Sequence, residues 1–197
     1  MQLRLHMTQR DITALGPGRR FGVWVQGCKR RCPGCISPET WSLDGGYEVS
    51  VSELAQEIVR SGLEGITISG GEPFLQADAL TRLIQMVRRE RDVGVIIYTG
   101  NRLEELTAPE EQALLSECDL LVDGTYEEAL NDGKNLRGSS NQRAIALTQR
   151  YEQEAAEYGT KPTQVEFFFH EDKIVMVGIP TGEWIKRAKK LSQQEGG

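Results

Sequence analysis

The chain is poor in the residues that staple, anchor or charge a surface. Its 197 residues include only four cysteines and two histidines. Three of the cysteines are bunched together, which does not suggest a disulfide framework. Neither His6 nor His170 has an acid and a nucleophile arranged near it, so both read as packing or surface residues. Basic charge is in deficit, with 23 Lys and Arg against 29 Asp and Glu and a net charge of -6. With no basic stripe either, a general nucleic-acid binder is disfavoured. No apolar run approaches membrane-spanning length, and Met1 to Ile12 alternates polar and apolar residues where a signal peptide would carry an apolar core. Low-complexity tracts and internal repeats are absent as well. The expectation is a cytoplasmic protein with neither membrane nor nucleic acid among its partners.

What is present points to a metal centre. Gly27-Cys28-Lys29-Arg30-Arg31-Cys32-Pro33-Gly34-Cys35 gathers three of the four cysteines in the spacing C-x3-C-x2-C. On a loop this short, three thiolates can converge on one polynuclear centre. A closed zinc site would need a fourth ligand from Cys118, His6 or His170, and none of these has a partner at zinc-finger spacing. A cubane cluster on three cysteines leaves one iron open to a substrate or cofactor. Lys29, Arg30 and Arg31 place cations beside the thiolates, either to offset cluster charge or as a docking surface. Cys118, between Glu117 and Asp119, reads as a buried small apolar residue.

Hydrophobic content of 39% supports a packed globule, and the length suits one domain over residues 1–197. Leu3, Leu5 and Met7 alternate with polar residues, which predicts an edge strand over 3–8; Phe21 to Gln26 predicts a second strand running into the cysteine loop. Ser50 and Glu53 spell a capping box for a helix stopping at Gly62. Strands follow at 65–69, 93–98 and 120–122, separated by helical patterns over 79–87, 103–106 and 110–117. Residues 131–143 read as loop, 151–160 as a solvated helix or insertion, 165–169 with 173–177 as a hairpin, and 184–191 as a basic terminal helix. Repeated strand-helix units imply a mainly parallel sheet, open and doubly wound or a partial barrel.

Each predicted parallel strand ends in a glycine-bearing loop, where α/β folds build sites. Gly70-Gly71-Glu72 could be a turn with a capping acid, but its placement also lets backbone approach a ligand while Glu72 receives an ammonium group. A bulky residue at position 71 is then expected to weaken cofactor binding and leave iron content near normal. Tyr98-Thr99-Gly100 and Asp123-Gly124 suit either plain turns or ribose and substrate contacts.

Taken together these stretches resemble the radical S-adenosylmethionine superfamily, and within it the glycyl-radical-enzyme activases. The resemblance rests on Gly16-Pro17-Gly18-Arg19, Gly27 to Trp41, Ser69 to Pro73, Tyr98 to Gly100, and Asp123-Gly124 with Leu136 to Arg143, and spans residues 11 to 145, which makes about 11–145 the core of the domain and 148–197 its divergent part. It implies a partial (βα) barrel of mainly parallel strands, with a 4Fe-4S cluster on Cys28, Cys32 and Cys35 and S-adenosyl-L-methionine on the open iron. It implies cofactor contacts from Gly70, Gly71, Glu72, Tyr98 and Asp123, with Gly178-Ile179-Pro180 near the adenine. The implied activity is reductive cleavage to a 5′-deoxyadenosyl radical that installs a glycyl radical on a protein partner such as an anaerobic ribonucleotide reductase, fed by a flavodoxin or ferredoxin. Two alternatives stand beside it: a radical enzyme modifying a peptide, nucleoside or other small substrate, and an iron-sulfur or zinc module for electron transfer or assembly.

Overall fold

A computed structural model describes residues 1–171, 173–181 and 184. Its organising element is a seven-stranded mixed sheet: β1 (Gln2–Ile12), β2 (Arg20–Val25), β3 (Tyr47–Ser50), β4 (Gly65–Gly70), β5 (Gly94–Tyr98), β6 (Leu120–Asp123) and β7 (Arg143–Ala146). In space the strands run β3-β1-β2-β4-β5-β6-β7. Strands β2, β4, β5 and β6 are parallel, while β1, β3 and β7 pair antiparallel at the flanks. The fold is α/β with a mostly parallel centre, and its hydrogen-bonded order is open, with β3 and β7 as the edges.

Strands β5 and β6 read as near-continuous apolar runs, as strands covered on both faces do, whereas β4 alternates Ile66 and Ile68 with Thr67 and Ser69. Phe21, Val23 and Val25, with Ile66, Ile68, Val95, Ile97 and Leu121, point to one core. There they meet α1 (Val51–Ser61), α2 (Ala77–Glu90) and α3 (Pro109–Ser116), which lie side by side. The α2 stripe Leu80, Leu83, Ile84 and Val87 is fully buried, as its helical spacing predicts. The alternate residues Trp24, Ile96, Tyr98 and Leu120 point the other way. A two-stranded antiparallel hairpin, β8 (Val165–Phe169) and β9 (Ile174–Gly178), packs Phe168, Val175 and Val177 near Trp24 on that face. A further α-helix, α4 (Glu152–Ala156), follows a short turn containing Tyr151.

Several expectations are corrected. The strand expected at 3–8 is longer and is not an edge, because Tyr47 to Ser50 pair outside it. The helix at 51–61 starts and stops as read, with Gly62 in the left-handed region at φ 70°. Its capping box does not form: the Ser50 hydroxyl meets the Ser52 hydroxyl at 2.8 Å instead of a backbone N–H. Residues 143–146 form a strand that begins on the last residue of the loop expected at 131–143, and of the solvated helix or insertion expected at 151–160 only 152–156 is α-helix. Apart from Trp184, the basic helix expected at 184–191 lies outside the described residues.

The lower end of the parallel sheet is plugged by Arg20, which is 0% exposed. Its guanidinium donates to neutral acceptors only: Thr67 Oγ1 at 2.6 Å, Tyr151 Oη at 2.7 Å, and the carbonyls of Pro17, Ile66 and Gly94 at 2.8 to 3.0 Å. Saturating the fork in this way offsets the cost of a buried cation. It also ties Tyr151, well beyond the strands, to the core.

Candidate active site

The opposite, carboxyl ends of the parallel strands open into a cavity of about 580 Å³ on the face away from the helices. Its wall includes Cys28, Cys32 and Cys35, the Ser69 to Glu72 loop, Tyr98 to Gly100, Gly124 and Tyr126, and the β9 hairpin strand from Lys173 to Ile179. Three of the glycine-bearing loops singled out in the sequence therefore meet the cysteine loop around one space.

The cysteine loop is rooted by backbone pairing. Gly27, at φ 100°, donates its N–H to Thr40 O at 2.8 Å, and Cys28 N–H donates to Trp41 O at 3.2 Å. The segment between is thus a closed excursion returning to its own start. Within it Cys35 N–H donates to Cys32 O at 3.1 Å. All three thiols are partly exposed and free. Burial and the neighbouring thiols push Cys32 up, while the Tyr126 backbone N–H facing its sulfur pulls the other way.

Glu72 links two loops. The carboxylate is 5% exposed. Oε1 accepts from Thr99 Oγ1 at 2.7 Å and from Phe74 N–H at 3.2 Å, the latter capping the 3-10 turn Pro73–Gln76; Oε2 accepts from Gly100 N–H at 3.0 Å. Turn-capping and cavity placement therefore coexist. A carboxylate has about four acceptor positions, so three donors leave room for one more. Burial raises its pKa despite those donors and nearby Arg30, which is the environment in which a bound cation is most strongly held.

The glycines before it allow two loops to touch. Gly70 sits at φ 102°, and Gly71 N–H donates to Val25 O at 2.8 Å while Glu72 N–H donates to Gly27 O at 2.8 Å. A Cβ at Gly71 would strike the Gly27 backbone. Tyr98 also faces the cavity, and its hydroxyl is buried with no hydrogen-bond partner among the described residues. Burial pushes that phenol above its ordinary range.

Asp123 is placed elsewhere. It is 0% exposed and absent from the cavity wall, and its carboxylate accepts from Leu103 N–H at 2.8 Å and Arg143 Nε at 2.9 Å. The structure spends it on clamping β6 to β7, and it is its neighbour Gly124 that reaches the cavity. Arg30 likewise does more than offset thiolate charge: it donates to Asn101 Oδ1 and, at 3.0 Å, to Thr125 Oγ1. That bridge spans the cysteine loop and the ends of β5 and β6. Thr99, Trp24 and His6 also line the space without having been assigned roles in the sequence. Thr99 had a signal, since it lies inside Tyr98-Thr99-Gly100, whereas His6 had none. Cys118 is 1% exposed, with burial raising its thiol to about 12, as suits a packed apolar residue.

Among the described residues no three His, Cys, Asp or Glu side chains are drawn tightly enough around one point to hold a single metal ion. A polynuclear cluster asks for a different arrangement, since each iron takes its own thiolate and the ligands stand apart around a shared space. Three half-buried thiols on one cavity wall, a buried hydroxyl with no partner among the described residues and a buried carboxylate with an acceptor position to spare fit an iron-sulfur cluster with a polar, cationic cofactor beside it.

Comparison with known proteins agrees with that fit. The 4Fe-4S single cluster domain family matches residues 14–145. The anaerobic ribonucleoside-triphosphate reductase-activating protein of Vibrio cholerae is 37% identical over 137 residues, 64% of this chain and 87% of that protein. The chain belongs to the radical S-adenosylmethionine activating-protein family. Within that family the pyruvate formate-lyase-activating enzyme of Listeria monocytogenes is 38% identical over 92 residues, 43% of this chain and 37% of that enzyme. A solved structure, QueE from Escherichia coli, superposes with a TM-score of 0.44 at 19% identity, covering 51% of this chain and 53% of that one, too loosely to bear on the activating-protein assignment. The family match ends at residue 145, before the hairpin that closes the cavity.

Proposed function

We propose that this protein is an activating enzyme that installs a glycyl radical on an anaerobic ribonucleotide reductase. The observation that carries the reading is the meeting of the Cys28–Cys35 loop and the Gly70–Glu72 loop around one cavity, backbone to backbone at Gly27 and Gly71. Cys28, Cys32 and Cys35 hold the 4Fe-4S cluster, leaving one iron for S-adenosyl-L-methionine. When bound, these cofactors supply one-electron cleavage to methionine and a 5′-deoxyadenosyl radical that abstracts hydrogen.

The chain's own residues bind and orient. Glu72 receives the ammonium group on its remaining acceptor position, and the Gly70-Gly71 backbone admits the amino-acid end without side-chain obstruction. Tyr98 turns its free hydroxyl to a polar atom of the cofactor. Gly178 and Ile179 on the hairpin flank the adenine end, and Trp24, Val175 and Val177 keep water from that side. The sheet with its facing hairpin makes up a partial barrel in a single domain. Lys29 and Arg31, exposed beside the cysteines, offer opposite charge to a flavodoxin or ferredoxin. A reducing cytoplasm keeps the ligand thiols available to iron.

A second reading, a radical enzyme acting on another substrate, is favoured by one feature: the hairpin that walls the cavity lies beyond the family match. Anaerobic reconstitution tests the shared chemistry. About four irons per chain and reductive formation of 5′-deoxyadenosine are expected; one zinc and no iron would overturn it.

A further inference from the structure

The Gly138 to Gln142 stretch marks the family resemblance in sequence, yet only Gly138 and Gln142 of it touch the cavity. Its flanking arginines face away from the cysteines. Arg137 pairs with Asp132 and lies over the Tyr158 ring at 5.1 Å, and Arg143 pairs with Asp123 and Glu104. The side chains between them converge on a single neighbour, residues 124–127 after β6. Gln142 Nε2 donates to Gly124 O at 2.8 Å, Asn141 Nδ2 donates to Thr125 O at 2.9 Å and Glu127 Oε1 at 3.0 Å, and fully buried Ser139 accepts the Glu127 N–H at 3.1 Å. The Gln142 amide is held one way round, because its Oε1 accepts from the N–H groups of Gly138 at 2.7 Å and Ser139 at 3.2 Å.

The segment so braced is the outer wall of the cysteine loop. Arg30 donates to Thr125 Oγ1 at 3.0 Å. Gly34, at φ 73°, comes so close to Glu128 that a Cβ would stand 2.8 Å from the Glu128 Cβ. Between these two contacts, the Tyr126 backbone N–H faces the Cys32 sulfur. Residues 30, 32 and 34 are thus each met by one residue of 125–128.

We propose that Ser139, Asn141 and Gln142 are positioning residues for the iron-sulfur cluster: they hold 124–128 against the cysteine loop and so fix an N–H donor at Cys32. This rests on the cluster assignment made above. N–H groups directed at cluster sulfurs are a recognised lever on reduction potential. A donor at sulfur favours the more negative, reduced cluster, so loosening it makes the cluster harder to reduce.

The test is a redox titration of the reconstituted full chain, followed by electron paramagnetic resonance of the reduced cluster. Gln142→Glu keeps the acceptor toward Gly138 and Ser139 but sets an anionic oxygen against Gly124 O; Asn141→Ala removes the donor to Thr125 O. Both variants are expected to retain the iron content of the parent; Asn141→Ala, which adds no charge, reports the brace by a midpoint potential shifted negative and altered g-values, while in Gln142→Glu the added anionic oxygen contributes a further negative shift of its own. Parent-like potential and g-values in Asn141→Ala would overturn the brace, whatever Gln142→Glu shows. Should Gln142→Glu take up no iron, Asn141→Ala decides by the same readout. A parent protein that holds no four-iron cluster would instead sink the cluster assignment, so the two failures are distinguishable.

Discussion

A Cβ placed on Gly71 would stand 2.8 Å from the carbonyl carbon of Gly27 and closer still to its oxygen, the same oxygen that accepts the Glu72 N–H. Contact with backbone cannot be relieved by a rotamer change. Gly71→Ala is therefore expected to shift the root of the cysteine loop and to lower both iron content and S-adenosylmethionine binding. This revises the sequence expectation that only cofactor binding would suffer. Iron analysis beside equilibrium binding measures it, and full iron retention would return the loop to a purely cofactor-binding role.

Glu72→Gln separates the two functions. An amide can still accept at Oε1 but presents no charge to an ammonium group, and hydrogen bonds to charged groups are worth about 1.5–3 kcal/mol. A loss of roughly 10- to 100-fold in S-adenosylmethionine affinity follows, with iron content unchanged. Unaltered affinity would leave Glu72 as the cap of the Pro73–Gln76 turn and its tie to Thr99 and Gly100, with no part in cofactor binding.

Cys118 and the three loop cysteines should part company in alkylation. In the apo protein at pH 8, iodoacetamide should label Cys28, Cys32 and Cys35 and spare Cys118 until the chain unfolds, as read by peptide mass spectrometry. Cys118→Ala should keep the cluster, while alanine at any loop cysteine should lose it. The buried thiol holds its proton to about 12, whereas the unfolded thiol releases it near 9.0. The folded state thus binds the extra proton between those values, and Cys118 makes stability fall as pH rises through that window. A Cys118→Ala variant should show a shallower alkaline decline.

Tyr151→Phe removes one acceptor from the buried Arg20 guanidinium while preserving the ring 5.4 Å away. Leaving a buried donor unmet costs about 1–3 kcal/mol. The denaturant midpoint should fall by the corresponding amount, with no change in iron content, since Arg20 plugs the end of the sheet away from the cysteines. An unchanged midpoint would mean that water or another group satisfies Arg20 once the hydroxyl is gone.

The central strands were legible because Phe21 to Val25 and Val93 to Tyr98 are near-continuous apolar runs, while Gly65 to Ser69 alternates Ile66 and Ile68 with Gly65, Thr67 and Ser69 at the period of a strand. The strands Tyr47 to Ser50 and Arg143 to Ala146 were not, because four half-exposed residues carry no period and become strands only by pairing with β1 and β6. That omission also made β1 look like an edge. The convergence of glycine loops on the cysteines was readable from their common place after strands. Asp123 shows the limit: an aspartate at a strand end suits a ligand or a clamp equally, and Arg143, twenty residues on, decides it. No local signal carries that.

The most direct test of the central claim mixes the reconstituted, reduced protein and S-adenosylmethionine with the anaerobic ribonucleotide reductase of the same organism, under electron paramagnetic resonance. The account predicts a glycyl-type doublet on the reductase that requires Cys28, Cys32 and Cys35 and is weakened by Glu72→Gln. Formation of 5′-deoxyadenosine with no radical on the reductase would contradict the activating role, and would direct attention to the hairpin beyond residue 145 as the site that selects another substrate.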